Sequence, residues 1–409
     1  MPGPGIELIG DEETAEVLEV MASKFLSRYG PADNPAFGRK VHRVEESLAE
    51  LAGVKYALAL SGGGSAALWI AMLGLGIGPG DEVIVPGFTF VASISSIVYT
   101  GATPVLAEVD DSFDLDPADV EARITPATKA ILVVHMLGGV ARLDELKAIA
   151  DRHGIALIED CAQAFGATYQ GQGVGGVGNV GTYSFNEYKT ITCGDGGALV
   201  TDDAALYERC FAMHDQGHAP FRLESKYAER PFLGMNFRMT ELSGAVLVAQ
   251  LRKLDLIRTH LRANKAIVKS ILGEVPEIGF RALVDPEGDL ATHLVVILPT
   301  RQVAEAVAKE VGSITLGTSG WHVYNHMDHV LSRRTVTGKG CPFDCDHPDH
   351  SHGRYAAGML PQTDDLVNRS ISIGIGVRDG NLAPYGLRMG STADDARVVG
   401  ETFRDAVRR

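Results

Sequence analysis

Between about residues 55 and 250, short runs of consecutive apolar residues alternate with stretches whose apolar positions recur at helical spacing. Tyr56–Leu60, Glu82–Pro86, Thr103–Ala107, Ala130–Val134 and Ala156–Asp160 read as strands, and Leu143–Arg152 reads as one of the intervening helices. Strands that are apolar throughout, and that alternate with helices, predict a mostly parallel sheet covered by helices on both faces. In such sheets ligands bind beyond the carboxyl ends of the strands. The pattern changes after a helical stretch at Glu241–Arg258. Ala291–Pro299 and Ser370–Ile375 then read as strands, with Val303–Val311 and Asp394–Val407 as helices. The expected architecture is α/β: a large domain over 1–255, including an N-terminal helical segment, and a smaller α+β domain over 256–409.

Composition narrows the class. The chain has 409 residues, 45% hydrophobic and 22% charged, with a formal net charge of −15. That acidic balance argues against nucleic acid as a partner, although a helix terminus can still bind an anion locally. The N-terminal Met1–Gly5 stretch has no basic region followed by an apolar run, and no apolar run approaches the roughly 20 residues that span a bilayer, so a cytoplasmic protein is expected. Five cysteines, Cys161, Cys193, Cys210, Cys341 and Cys345, suit reduced thiols better than a disulfide framework.

Unusual residues collect where the predicted strands end. Ser61-Gly62-Gly63-Gly64-Ser65 follows the first strand and opens an apolar helix; such a turn presents free N–H groups and a positive dipole end to a phosphate, or is simply a tight turn. Phe90 follows the second strand, as a ring-stacking group or as core. Asp160 ends the fifth, just before Gln163. A carboxylate there needs a partner or serves as a helix cap. Ser184 is a phosphate donor or a turn residue. Lys189 lies among apolar and aromatic neighbours, as a buried amine of lowered pKa or as a surface lysine. Each signal is ambiguous alone, and together they describe one composite pocket.

In this order and spacing the residues resemble the aspartate-aminotransferase-like enzymes of pyridoxal 5'-phosphate. The closer resemblance is to the DegT/StrS-type sugar aminotransferases, which make amino sugars and aminocyclitols. It covers most of the chain and is densest in Gly80–Pro86 with Thr89-Phe90, in Glu159–Gln163, in Ser184–Gly197 and in Asn236–Met239. The resemblance implies that Lys189 carries the cofactor as a Schiff base and acts as the catalytic base, and that Asp160 pairs with its pyridinium nitrogen. It further implies that Phe90 stacks on the ring, that Gln163 lies near the 3'-oxygen, and that Gly64, Ser65 and Ser184 bind the phosphate. Asn236 would reach the phosphate of a neighbouring subunit, making a homodimer with shared sites; its plain alternative is a turn residue. His322 and Tyr324 stand where the family places substrate contacts. The implied reaction moves an amino group from glutamate or glutamine to a keto sugar, keto-cyclitol or related ketone.

The family usually has Thr at Ser65 and Glu at Asp195. Cys341–His352, within a segment at about 338–356, looks like an insertion. Its two cysteines and three histidines invite a zinc reading, but C-x3-C-x-H-x2-H-x-H matches no structural site. A polar loop is expected there, and no metal. Sugar dehydration is the nearest alternative chemistry; relatives that perform it have His where Lys189 stands. A non-catalytic regulator that binds the cofactor or a sugar is the alternative from another class.

Overall fold

A computed structural model describes residues 3–31, 33–220, 231–345, 347 and 353–409. Seven strands form the central sheet: β1 (Tyr56–Leu60), β2 (Glu82–Pro86), β3 (Thr103–Ala107), β4 (Thr128–Val134), β5 (Ala156–Asp160), β8 (Val180–Ser184) and β9 (Gly197–Thr201). A two-stranded ribbon, β6 (Thr168–Tyr169) and β7 (Gln172–Gly173), lies between β5 and β8 in the chain. The sheet order is β1-β9-β8-β5-β4-β2-β3. Only β9 runs against the others: it pairs antiparallel with both β1 and β8, while the remaining neighbours are parallel.

The apolar strands serve two cores at once. Ala57, Ile84, Ile131 and Leu157 enter one buried cluster, and their neighbours Leu58, Val83, Leu132 and Ile158 enter the other. Side chains of a strand alternate between faces, so both faces are covered by helices, as expected. Each fully buried Leu or Ile contributes about 1.5–3 kcal/mol from burial.

A second sheet follows, with order β10 (Gly279–Phe280), β11 (His293–Ile297), β12 (Ser370–Ile375) and β13 (Gly386–Leu387). The helices Leu254–Leu272 and Ala393–Val407 pack together beside it. Where a single helix is expected at Glu241–Arg258, the chain forms two, Glu241–Leu251 and Leu254–Leu272. The break falls at Arg252-Lys253, neither of which is a breaker by type. Lys253 Nζ is held there by the Leu8 carbonyl and the Glu13 carboxylate, so tertiary contacts override local propensity.

Cys341 and Cys345 correct the expectation of five reduced thiols: they form a disulfide. A tight turn closed by mutual hydrogen bonds between Gly340 and Asp344 brings their Cα atoms to 5.0 Å, within bridging range. Cys161, Cys193 and Cys210 are free. His350 and His352 of the Cys/His segment lie outside the described residues.

Three buried histidines carry a pH prediction. Burial, first of all, pushes His214 down to about 4 and His293 and His322 down to about 3. The unfolded chain therefore binds protons that the folded chain refuses. This stability is present above about pH 6.5 and is lost as pH falls below it. Asp114, pushed up by burial to about 6, works in the opposite sense below that value. At about 1.4 kcal/mol per group and pH unit, these four groups together remove roughly 3 kcal/mol between pH 6 and 5. Urea unfolding at the two pH values measures it, and a flat profile would contradict it.

Candidate active site

The carboxyl ends of the central sheet meet the second sheet at a cavity of about 270 Å³. Its lining includes Phe90, Gln163 and Lys189 from the first part of the chain, and His293, His322 and Asp379 from the second. Lys189 lies in the loop between β8 and β9. Its amine is pushed below its ordinary value by burial, against the opposing pull of Asp160 and Asp379.

Asp160 is the last residue of β5 and is almost completely buried. Burial raises its pKa, while hydrogen bonds and the Lys189 charge act against that rise. Ser93 Oγ donates to Asp160 Oδ2 at 2.9 Å and the Ala162 N–H donates to Oδ1 at 3.0 Å. Ser93 Oγ is in turn 2.8 Å from Thr89 Oγ1. One carboxylate is thereby fixed in orientation with charge to offer a cation. Sequence reasoning passed over Ser93, which lies in the first turn of the helix Val91–Val98, where the chain entering through Thr89 and Phe90 brings the Thr89 hydroxyl against it.

Behind Asp160, Glu159 is fully buried and accepts hydrogen bonds from the N–H groups of Gly175, Val177 and Gly178. His135 accepts from the Ala141 N–H at Nδ1, so its Nε2–H donates to Glu159 at 3.1 Å. His135, Glu159 and Cys161 lie close enough to suggest metal ligation. The hydrogen bonds already occupy both the imidazole and the carboxylate, and burial holds the Cys161 thiol protonated.

The remaining predicted residues distribute as follows. Phe90 caps the helix Val91–Val98, is 41% exposed and faces the cavity beside Trp321 and His322. Gln163 Oε1 accepts from the Leu137 N–H at 3.1 Å, which turns its NH2 group away from that contact. Leu137 holds a left-handed backbone, φ 55°, a conformation that stores strain in a non-glycine residue. Gly64 and Ser65 lie in the first turn of the helix Gly63–Gly74, which has no side-chain cap, leaving its first N–H groups for an anion. A Cβ on Gly64 would stand 2.9 Å from Ser184 Cβ, so only glycine lets the helix meet the end of β8. These three residues do not themselves line the cavity. Asn236 is exposed, with Oδ1 accepting from the Arg238 N–H, and it too lies away from the cavity of its own chain.

His322 lines the cavity. Tyr324, expected to contact substrate, does not. It is fully buried, its hydroxyl donates to Asp364 at 3.1 Å and accepts from the Leu360 N–H at 2.9 Å, and it braces the loop that carries His322. Thr292, His293, Asp379, Asn381 and Leu382 were missed. They come from the second sheet and its loops, and no local signal marks them.

Residues 7–329 match the family model described as the DegT/DnrJ/EryC1/StrS aminotransferase family. The chain belongs to that family. An L-glutamine:2-deoxy-scyllo-inosose aminotransferase of Streptoalloteichus tenebrarius is 43% identical over 61% of this chain and 62% of that protein. A GDP-perosamine synthase of Caulobacter vibrioides is 42% identical over 62% of the chain and 64% of its own length. The chain thus spans less than two thirds of these curated relatives. The crystal structure of 3-amino-5-hydroxybenzoic acid synthase superposes with a TM-score of 0.79 at 26% identity, over 100% of this chain and 99% of that one.

The cofactor of this family's aminotransferases is pyridoxal 5'-phosphate, and the donor set fits it. Lys189 supplies an amine that burial keeps toward its neutral, nucleophilic form. Asp160 is a fixed carboxylate that would suit a protonated ring nitrogen. The uncapped helix Gly63–Gly74 and Ser184 would be the phosphate donors.

The N-terminus braces this loop. Gly3 and Gly5 donate N–H bonds to the carbonyls of Glu187 and Lys189. A Cβ on Gly5 would lie 2.8 Å from Ile191 Cα and Thr192 N, backbone atoms that cannot yield. Gly5→Val is expected to cost about 1–3 kcal/mol, with a lower Tm and weaker retention of the cofactor; an unchanged Tm would refute the bracing role.

Proposed function

We propose that the protein is a pyridoxal-phosphate-dependent aminotransferase that takes an amino group from glutamine or glutamate and gives it to a keto sugar, keto-cyclitol or related ketone. The observation that carries this reading is Lys189 at the cavity with the Asp160 carboxylate near enough to act on its amine, the amine pushed down by burial and the carboxylate pinned by Ser93 and Ala162. A role in making amino sugars or aminoglycoside-type metabolites goes with it, supported by the names of the relatives. So does a cytoplasmic homodimer in which Asn236, exposed and away from its own cavity, serves the partner's phosphate site. Among the described residues no helix is long and apolar enough to cross a membrane.

When bound, pyridoxal phosphate supplies an electron sink for the charge left when a proton departs from the amine-bearing carbon. The chain's residues do the rest. Lys189 Nζ holds the cofactor, and once displaced it takes the proton from the substrate carbon and later returns it; its lowered pKa leaves it free to act as a base. Asp160 would hold the cofactor's ring nitrogen in its charged form, Gln163 would donate to the cofactor through its free NH2 group, Phe90 would pack against it, and Gly64, Ser65 and Ser184 would anchor its phosphate. Asp160 and Lys189 make a complete catalytic set, which favours catalysis over regulation, and Lys at 189 favours transamination over dehydration.

The acceptor is tested by loading the protein with pyridoxamine phosphate and offering a panel of keto sugars, nucleotide keto sugars and keto-inositols. Return of the visible absorption of the Schiff base marks the acceptor. No return with any of them would remove the sugar and cyclitol class.

A further inference from the structure

One peptide unit ties the second sheet to the cavity. After His135 the chain turns through Met136–Gly138, and the peptide joining Met136 to Leu137 is bonded on both sides. Its N–H donates to Gln163 Oε1 at 3.1 Å, and its carbonyl accepts from Arg281 Nη1 at 2.8 Å. A peptide unit is a rigid plane, so whatever orients the carbonyl also orients the N–H. A backbone N–H can be met only by the oxygen of a carboxamide. The bond therefore decides which way the Gln163 amide faces, and it leaves the NH2 group to the cavity that Gln163 lines.

The plane does not keep this orientation unaided. Leu137 takes φ 55° and ψ 34°, left-handed values that are costly in a residue with a Cβ. Rotating the Met136–Leu137 peptide back would relieve that cost and carry the N–H off Gln163. Arg281 opposes the rotation. It follows β10 in the second sheet and is 5% exposed. Its counter-ion Asp114 lies 3.5 Å from Nη2, farther than the Met136 carbonyl lies from Nη1. Asp114 in turn accepts from the Met136 N–H at 2.8 Å. The ion pair closes around the turn, with its shortest bonds made to backbone. Gly139 makes room for it, since a Cβ there would collide with Arg281 Nη2. The Leu290 N–H holds the far end of the turn at the Gly138 carbonyl, but it does not touch this peptide.

We propose that Arg281 is a positioning residue for the cofactor: it holds the Met136–Leu137 peptide so that Gln163 keeps its NH2 group on the cofactor. A residue of the second sheet then tunes the cofactor without touching it. This rests on the aminotransferase reading and on the 3'-oxygen that the sequence resemblance puts beside Gln163. A donor to that oxygen favours its anionic form, so the proton it shares with the Schiff-base nitrogen leaves at a lower pH. Loss of the donor raises that pH.

The test titrates the full chain, loaded with pyridoxal phosphate and free of substrate, by absorbance. The pH at which the visible Schiff-base band gives way is expected to rise by about one unit in Gln163→Ala, the worth of one hydrogen bond to a charged group. Arg281→Met and Gly139→Ala should each produce most of that rise, and Arg281→Lys, which keeps the charge and a donor, less. Removing the Arg281 charge raises the same pH by itself. Gly139→Ala excludes that cause, because it displaces the guanidinium with Arg281 and Asp114 both present. Asp160, Asp379, His293 and His322, whose charges act with that of Lys189, are unchanged throughout. Adding Gly139→Ala to Gln163→Ala should give no further rise, since both act through one amide; independent effects would add. A Tm near that of the wild type checks folding, and if Arg281→Met fails to fold the Gly139→Ala series decides. A rise in Gln163→Ala with none in Gly139→Ala overturns the inference, as do additive rises in the double variant. So does a band that no variant moves. The aminotransferase reading stands in those three cases and falls if the wild-type chain forms no visible band.

Discussion

Lys189→Ala is expected to lose at least about 10⁴-fold in transamination rate, because one side chain both holds the cofactor and moves the proton. Two effects should separate. The visible band of the lysine Schiff base disappears, since no other amine is placed to form it: among the described residues Lys189 is the only lysine lining the cavity. The proton-transfer rate falls too, and an added primary amine such as methylamine should restore a small part of it, since small amines can occupy the space of the missing side chain. Stopped-flow absorbance with L-glutamine reads both. A variant that kept the wild-type band, or more than a few per cent of the rate, would show that the amine is elsewhere.

Asp160→Asn is expected to leave the band in place and to lower the rate of the same half-reaction by about 10² to 10⁴-fold, the range set by removing one partner from a buried charge pair. Asparagine keeps the shape and retains one oxygen for the Ser93 or Ala162 contact, so the loss is of charge. Ser93→Ala acts through Asp160: it frees Oδ2 from its 2.9 Å hydrogen bond and should lower the rate far less. The order Asp160→Asn, then Ser93→Ala, then wild type is the expected ranking. An Asp160→Asn rate equal to the wild type would mean that the ring nitrogen does not need the charge.

What could be read in advance divides along physical lines. β2, β3 and β5 begin and end where the apolar runs do, because buried parallel strands are apolar on both faces; β1 and β12 also match their predicted bounds, although their longest pairings are antiparallel. β4 starts two residues before its apolar run, at Thr128, which pairs across to Glu82; pairing, not hydropathy, sets that end. The break at Arg252-Lys253 was invisible because a contact from the N-terminal segment makes it. The disulfide was missed because an argument from compartment says nothing about a tight turn that brings two thiols together. Lys189, Phe90 and Gln163, which line the cavity, were legible as a group because each sits in a motif just beyond a strand end. Tyr324 was placed by its position in the chain, whereas its hydroxyl is spent on Asp364 and Leu360. His293 and Asp379 reach the cavity only because the second sheet folds onto the first, and nothing near them in the chain announces it.

The most direct measurement is to load the protein with pyridoxal phosphate, add L-glutamine with no acceptor present, and identify the released cofactor. The account predicts conversion to pyridoxamine phosphate in proportion to protein, with the matching 2-oxo acid amide in equal amount. Cofactor recovered wholly as pyridoxal phosphate, after both L-glutamine and L-glutamate, would contradict it.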